Sequence, residues 1–344
     1  MTEHCNGAEF NALKRGPILV VGGAGFIGSH LVERLLAKDL EVWVIDNLSG
    51  GDERNLPLDN AKLRFDVLDA RTAVAGTPEG RILDTAVAAT SFVFNLASPI
   101  GVPKAHHESY QTTRSILESG MNVVDACERH KRPLLFTSSS EVYGAYASTE
   151  NSNLDSRGLG LKPRWGYAAA KLAVEHLVAG LWREKGIPTW IVRVFNVTGA
   201  RQRARDGFVV PAMCSALASG EPLQVHGDGS DSRTFLHVND AVSGLVATAG
   251  TSSLCGRPVD LGGHEKTTIN ELANRIQSVL KCQGRVNHVS YERAYGSDYA
   301  RVYNRVPDSL LLREETDWRP EHSLDEAIRE CFDYMAGRGS SGAH

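Results

Sequence analysis

Tyr167 and Lys171 stand four residues apart in the stretch Tyr167-Ala168-Ala169-Ala170-Lys171. On a helix that spacing puts both side chains on one face. An ammonium beside a phenol stabilises the phenolate and lowers its pKa. Such a pair can take the proton of an alcohol. A hydroxyl partner is available in Ser138-Ser139-Ser140-Glu141-Val142-Tyr143-Gly144, which follows the apolar run Leu134-Leu135-Phe136. Residues at the carboxyl ends of parallel strands face the ligand crevice, so Ser140 is read as the hydrogen-bond partner of the reacting hydroxyl. Each feature alone also has a plainer reading: a surface Tyr–Lys pair, and a serine-rich loop with a helix-capping Glu.

Oxidising an alcohol requires a hydride acceptor, and the chain has a place for one. Gly22-Gly23-Ala24-Gly25-Phe26-Ile27-Gly28 follows Ile18-Leu19-Val20-Val21 and opens an apolar-periodic segment with Leu31, Leu35 and Leu36. This reads as strand, glycine turn and helix, with a pyrophosphate on the helix N-terminus beside Gly22, Gly25, Phe26, Ile27 and Gly28. The next apolar run, Glu41 to Ile45, ends in Asp46 and Asn47. An acid about 20 residues past the glycines is placed to hold a ribose 2′-hydroxyl. It would repel a 2′-phosphate, so NAD is expected over NADP. Asp66, followed by Val67, is placed to meet the adenine amine. Leu96, in Asn95-Leu96-Ala97-Ser98-Pro99, leaves a fourth strand beside the cofactor. Lys171, next to Tyr167, would also hold the nicotinamide ribose.

These groups need a scaffold. Short apolar runs at 18–22, 41–46, 62–66, 91–96, 133–138 and 188–194 alternate with helical patterns. That alternation predicts an α/β protein with a doubly wound parallel sheet. Residues 109–130 carry a helical face of Ile116, Leu117, Met121, Val124 and Cys127. Residues 71–89, containing Gly76-Thr77-Pro78-Glu79-Gly80, read as a surface excursion that lengthens the connection before the fourth strand. After about residue 200 the pattern changes. The expected organisation is a tail over 1–15 and a nucleotide domain over 16–200, to which later segments contribute. A smaller substrate lobe would span mainly 201–335, before a frayed end over 336–344.

The 344 residues and 42% apolar content support a sizeable core. A net charge of −4 gives no reason to expect nucleic acid or an anionic membrane surface. No apolar run is long enough to span a bilayer. Six scattered cysteines form no C-x-x-C pair, and the histidines show no metal spacing. A reduced cytoplasmic protein without a metal is expected.

The chain resembles the extended short-chain dehydrogenases/reductases of the NAD-dependent epimerase/dehydratase group, which act on nucleotide sugars through a Rossmann domain. Arg193-Val194-Phe195-Asn196-Val197-Thr198-Gly199 is similar to their R-x-F-N-x-x-G segment. Arg233-Thr234-Phe235-Leu236-His237-Val238-Asn239-Asp240 is similar to R-x-F-x-x-V-x-D. The resemblance implies that Asn196 and Arg233 hold the sugar-nucleotide diphosphate, with Arg201 and Val225 also on the substrate.

Local features lean toward UDP-glucuronate decarboxylases. Ser139-Ser140-Glu141-Val142-Tyr143-Gly144 resembles their T-S-E-V-Y-G, and Leu96-Ala97-Ser98-Pro99 resembles L-A-S-P. Lys162-Pro163-Arg164-Trp165-Gly166-Tyr167 is similar to K-P-R-W-x-Y of a lipid A-pathway decarboxylase, and Arg305-Val306-Pro307-Asp308 to R-K-P-D/S. The resemblance implies that Glu141 and Arg305 position a substrate carboxylate and govern proton return at C5. The product would be a UDP-pentose or its 4-keto form. The chain departs from the pattern in lacking G-P-R before Tyr167, and His226 stands where an aromatic often approaches the base. A 4,6-dehydratase, a 4-epimerase and a non-catalytic NAD sensor are the alternatives. A homodimer is expected, with the stripe Leu172, Leu177, Leu181 and Trp182 as its seam or as core.

Overall fold

The computed structural model describes residues 13, 16–99, 101–144, 160–302 and 305–339. The first half runs β1 (Ile18–Val21), α1 (Phe26–Ala37), β2 (Val42–Asp46), β3 (Leu63–Val67), α2 (Pro78–Ala89), β4 (Phe92–Asn95), α3 (Val102–His107), α4 (Ser109–His130), β5 (Leu134–Ser139), α5 (Trp165–Lys185) and β6 (Thr189–Val194). The second half runs β7 (Val197–Thr198), α6 (Val209–Ala218), β8 (Leu223–His226), β9 (Ser232–Thr234), β10 (Leu236–His237), α7 (Val238–Ala249), β11 (Pro258–Leu261), β12 (Lys266–Thr268), α8 (Ile269–Leu280), β13 (Val286–Val289), α9 (Tyr291–Tyr295), α10 (Leu310–Thr316) and α11 (Leu324–Gly339).

Seven strands form one parallel sheet in the order β11-β6-β5-β4-β1-β2-β3. β1, β2 and β4 are buried at every position, so their sequences are continuous apolar runs, β2 and β4 ending in one polar residue. One face of the sheet packs on α1 and α7, through residues such as Leu31, Leu35, Val242 and Leu245. The other packs on α2, α4 and α5, through Leu83, Val87, Ile116, Val123, Val174 and Val178. The chain crosses between the faces beside β1 and β4. This is the doubly wound arrangement, and its switch point opens a crevice at the strands' carboxyl ends.

One expectation changes. Residues 71–89 hold α2, the crossover helix between β3 and β4. It begins at the Thr77 cap and Pro78, and it buries Leu83, Ala86 and Val87 against the sheet. Residues 78–89 are therefore core packing and not a surface excursion. Beyond residue 200, β11 is the seventh strand of the sheet, and α7 and Trp318 join the core beneath it. The lobe proper has its own core of α6, β8, α8 and α11, with Met213, Leu223, Leu272 and Ile328 inside it. At the start of the chain only Leu13 of the proposed tail is described, and it is buried in the first core. Of the stripe on α5, Leu181 is core and Trp182 packs against the other face, while Leu177 is exposed. No helix among the described residues is long and apolar enough to cross a membrane.

Candidate active site

A cavity of about 390 Å³ lies along the carboxyl ends of β1, β2, β4, β5 and β6. At one end the chain turns at Gly22, whose φ of 85° is left-handed. A Cβ on Gly28 would lie 2.1 Å from the Gly22 carbonyl oxygen, so only glycine lets α1 start this close to β1. No side chain caps α1, which leaves its first-turn amides to the cavity. Gly22, Gly25, Phe26, Ile27 and Gly28 all line it, as do Asp46, Asn47 and Leu96.

Asp46 is buried. Its carboxylate accepts from the Ala24 amide at 3.0 Å and the Leu48 amide at 2.8 Å. Burial raises its pKa, against those backbone hydrogen bonds. The acid thereby braces the glycine turn while keeping lone pairs toward the cavity. An uncapped helix start and a carboxylate one strand away suit a pyrophosphate and an adjoining ribose. A dinucleotide therefore fits the residues present.

The other end holds the reactive groups. Tyr167 and Lys171 share the inner face of α5. Burial raises the Tyr167 pKa, while hydrogen bonds to Ser98 and Ser139 lower it. Lys171 is almost fully buried, and its Nζ donates to the Thr137 carbonyl at 2.8 Å. Burial brings its pKa down from 10.5 to about 7, partly offset by Glu175. The expected lysine-driven depression of the tyrosine pKa is thus not the ruling effect. Burial of both groups outweighs it, and the two serines supply the countering hydrogen bonds.

Glu141 sits in the short turn after β5 and is gripped by two guanidinium groups. Arg164 donates from Nε at 3.1 Å and from Nη2 at 2.8 Å, and Arg305 donates from Nη1 at 2.5 Å. Burial alone would push the carboxyl up, but the two arginines hold it well below the usual range. Nε and Nη2 of Arg305 are buried without a hydrogen-bond partner. Glu141, Arg164 and Arg305 thus line this end of the cavity together with Lys171.

A model of the NAD dependent epimerase/dehydratase family matches residues 18–262, well over half of the chain. The chain belongs to that family. It is an enzyme of this group, and NAD is its cofactor. It is 30% identical over 329 residues to the UDP-N-acetyl-alpha-D-glucosaminuronate decarboxylase of Bacillus cytotoxicus, covering 92% of this chain and 97% of the relative. UDP-glucuronic acid decarboxylase 1 of Danio rerio is 28% identical over 323 residues, covering 94% of this chain and 73% of the relative. Among solved structures, the UDP-glucuronic acid 4-epimerase of Bacillus cereus, with UDP-glucuronic acid and NAD, matches with a TM-score of 0.81 and 25% identity, covering 94% and 99% of the two chains.

The structure moves several expected site residues. Ser140, read as the partner of the reacting hydroxyl, is buried at the start of the turn and lines the cavity, as does Ser139 beside it, which lowers the Tyr167 pKa. Asp66 turns away, its carboxylate accepting from Trp43 Nε1 at 2.7 Å, and Val67 is exposed. Neither lines the cavity, whereas Asp69 does, paired to Arg71 at 2.6 Å. Arg201 is drawn to Glu33 of α1 at 2.5 Å, outside the cavity. Val225 is fully buried in the lobe core. Arg233 donates to the carbonyls of Ser232 and Val302 at 2.8 and 2.7 Å, and it lies outside the cavity lining. Asn196 lines the cavity, with Nδ2 on the Thr234 carbonyl at 2.9 Å. His226 packs edge-on against Tyr295, with ring centroids 5.0 Å apart, behind a stack of Tyr295 and Tyr299.

Arg164 has a role that its motif does not reveal, because its partner Glu141 lies 23 residues away and needs the fold to reach it. Ser98 likewise lines the cavity. Among the described residues no cluster of three or more His, Cys, Asp or Glu is arranged to hold a metal.

Proposed function

We propose that this enzyme is a UDP-glucuronate decarboxylase. The carrying observation is Arg305: it is buried, lines the cavity and has two guanidinium nitrogens without partners beside an already paired Glu141. A buried guanidinium fork left open calls for a planar anion. A uronate C6 carboxylate meets that need, and a neutral hexose does not. Relatives named for decarboxylation of uronate-bearing UDP sugars support the reading.

Bound along the glycine turn and Asp46, NAD would supply the acceptor for a hydride from sugar C4 and the means to return it. Tyr167 takes the proton of the C4 hydroxyl, with Ser139 and Ser98 sharing its hydrogen bonds. Lys171 would hold the cofactor ribose. The resulting 4-keto uronate is a β-keto acid, so the C5–C6 bond breaks with its electrons moving into the C4 carbonyl, and carbon dioxide leaves. Arg305 holds the carboxylate until that point. Glu141 keeps Arg305 in place and borders the carbon that regains a proton. General acid–base assistance of this kind contributes about 10²–10⁴-fold. Asn196, at the sugar-nucleotide end of the cavity, is proposed to contact the diphosphate. The product is UDP-xylose or its 4-keto precursor.

Mass spectrometry of the NAD-loaded protein with UDP-glucuronate, UDP-N-acetylglucosaminuronate and UDP-glucose tests this. Loss of carbon dioxide from a uronate supports the reading. A uronate recovered at unchanged mass but at a new chromatographic position would make the protein a 4-epimerase, and loss of water from UDP-glucose would make it a dehydratase.

We further propose a homodimer joined across the outer faces of α4 and α5, where Tyr110, Met121 and Leu177 are exposed. Sedimentation at micromolar concentration tests it; a monomer would overturn it. A cytoplasmic location agrees with the free thiols at Cys127, Cys214, Cys255, Cys282 and Cys331. Fractionation of expressing cells checks this, and recovery outside the cytoplasm would count against it.

A further inference from the structure

Asp260 is a buried acid that takes no part in the chemistry above. It lies on β11 in register with Arg193 of β6, and it does not line the cavity. Its Oδ1 accepts from the Tyr143 hydroxyl at 2.8 Å, and its Oδ2 accepts from the Asp308 amide at 3.1 Å. Tyr143 stands two residues after Glu141, and Asp308 three residues after Arg305. One carboxylate therefore ties together the two segments whose side chains form the Glu141–Arg305 pair. Pro307 packs close over β11 as well: a Cβ on Gly262 would lie 2.8 Å from its ring. Tyr143 is itself fixed by Arg193 Nη1 at 2.9 Å, and Arg193 makes a fork on Glu175 at 3.0 and 2.7 Å.

We propose that Asp260 is a positioning residue: it holds the Arg305 segment against the Glu141 turn and so sets the affinity of the site for an anionic sugar. The inference rests on the reading of Arg305 as the carboxylate site. Both partners of Asp260 are donors, so the carboxylate suits them and a carboxylic acid does not. Burial raises its pKa to about 6, against the Tyr143 and Asp308 hydrogen bonds and the Arg193 charge. The groups facing it are Tyr143, Arg193 and Asp308, with Glu175 behind Arg193. Uronate binding should therefore be strongest above pH 6 and weaken as Asp260 gains its proton.

Calorimetric titration of the NAD-loaded protein with UDP-glucuronate and UDP-glucose, at pH 5.5 and 7.5, tests the proposal. The natural protein should prefer the uronate at pH 7.5 and lose much of that preference at pH 5.5. Asp260→Asn should bind UDP-glucuronate about tenfold more weakly at pH 7.5, the cost of one buried hydrogen bond. It should bind UDP-glucose as before and lose the pH dependence. Unchanged NAD binding reports an intact fold. Should Asp260→Asn not fold, Tyr143→Phe removes the same tie from the other side and should act in the same direction. A variant that keeps the natural affinity and the natural pH dependence overturns the role of Asp260. A natural protein with no uronate preference overturns the Arg305 reading, and this proposal with it.

Discussion

Arg305 reaches across 164 residues of sequence to place Nη1 2.5 Å from Glu141 Oε1, on a carboxylate that Arg164 already grips. The consequence is a division of labour. Arg164 neutralises Glu141, and Arg305 keeps unused donors for a ligand. A buried pair of this kind is costly to break from one side, because the remaining charge is left without a partner.

Arg305→Ala should accordingly weaken UDP-glucuronate far more than UDP-glucose, by about 2–4 kcal/mol for the uronate. Arg305→Lys should recover only part of the loss, since an ammonium does not present a fork. Competition binding with both nucleotides measures the difference. Equal weakening of the two would place Arg305 at the diphosphate.

Tyr167→Phe deletes a single hydroxyl. Folding and NAD binding should stay close to natural, and turnover should fall by about 10²–10⁴-fold. Stopped-flow absorbance of the reduced cofactor measures the oxidation step. Near-natural rates would assign the base elsewhere.

The serine assignment separates by pH. Ser139 helps lower the Tyr167 pKa. Ser139→Ala should therefore move the limb of kcat/KM that reports tyrosine ionisation to higher pH, whereas Ser140→Ala should leave that limb in place. A shift caused by Ser140→Ala alone would make Ser140 the partner of the tyrosine.

Asp46→Ala removes an acceptor from the Ala24 and Leu48 amides as well as from the cofactor ribose. NAD affinity should drop by about 1.5–3 kcal/mol, and discrimination against NADP should shrink. Titration of the stripped protein with both dinucleotides checks this; tighter NADP binding to the natural protein would contradict the role given to Asp46.

Lys171 makes the fold pH-sensitive. Its pKa is lowered from 10.5 to about 7 on folding. Between those values the unfolded chain binds the extra proton, so stability rises with pH across that window. The penalty is complete below about pH 7. The urea midpoint of the natural protein should increase from pH 6.5 to pH 9.5 by more than that of Lys171→Met, with about 2–4 kcal/mol between the two trends. Parallel trends would show that Lys171 is not the titrating group.

The sheet was legible because most of its strands are short, largely apolar runs, and the six expected strands match β1 to β6 within a residue or two at each end. β11 was not legible: four residues, Pro258-Val259-Asp260-Leu261, carry a proline and an acid whose partners lie elsewhere. α2 was hidden by Gly76, Pro78 and Gly80, which read as turn signals although Thr77 and Pro78 start a helix. Tyr167 and Lys171 could be read from sequence because helix geometry alone brings them together. The place of Ser139 beside Tyr167 could not be read, since it depends on where β5 ends and the turn begins. Arg201 pairs with Glu33 and Arg233 donates to two backbone carbonyls, partners that a reading of the sequence does not reveal.

The late arrival of β11 bears on how the chain is made. While residues up to about 230 are leaving the ribosome, β6 is an uncovered sheet edge, and the apolar surface later sealed by α7 faces water. Exposed edges and apolar surface invite pairing with other chains. A full-length chain with Val259→Pro, which interrupts the pairing of β11 with β6, should therefore collect in aggregates, while the natural chain should be more soluble. Equal recovery of the two from the soluble fraction would show that the edge is guarded in some other way. The strand that completes the sheet also carries Asp260, so the nascent protein closes its most adhesive edge and anchors the Arg305 segment in the same event.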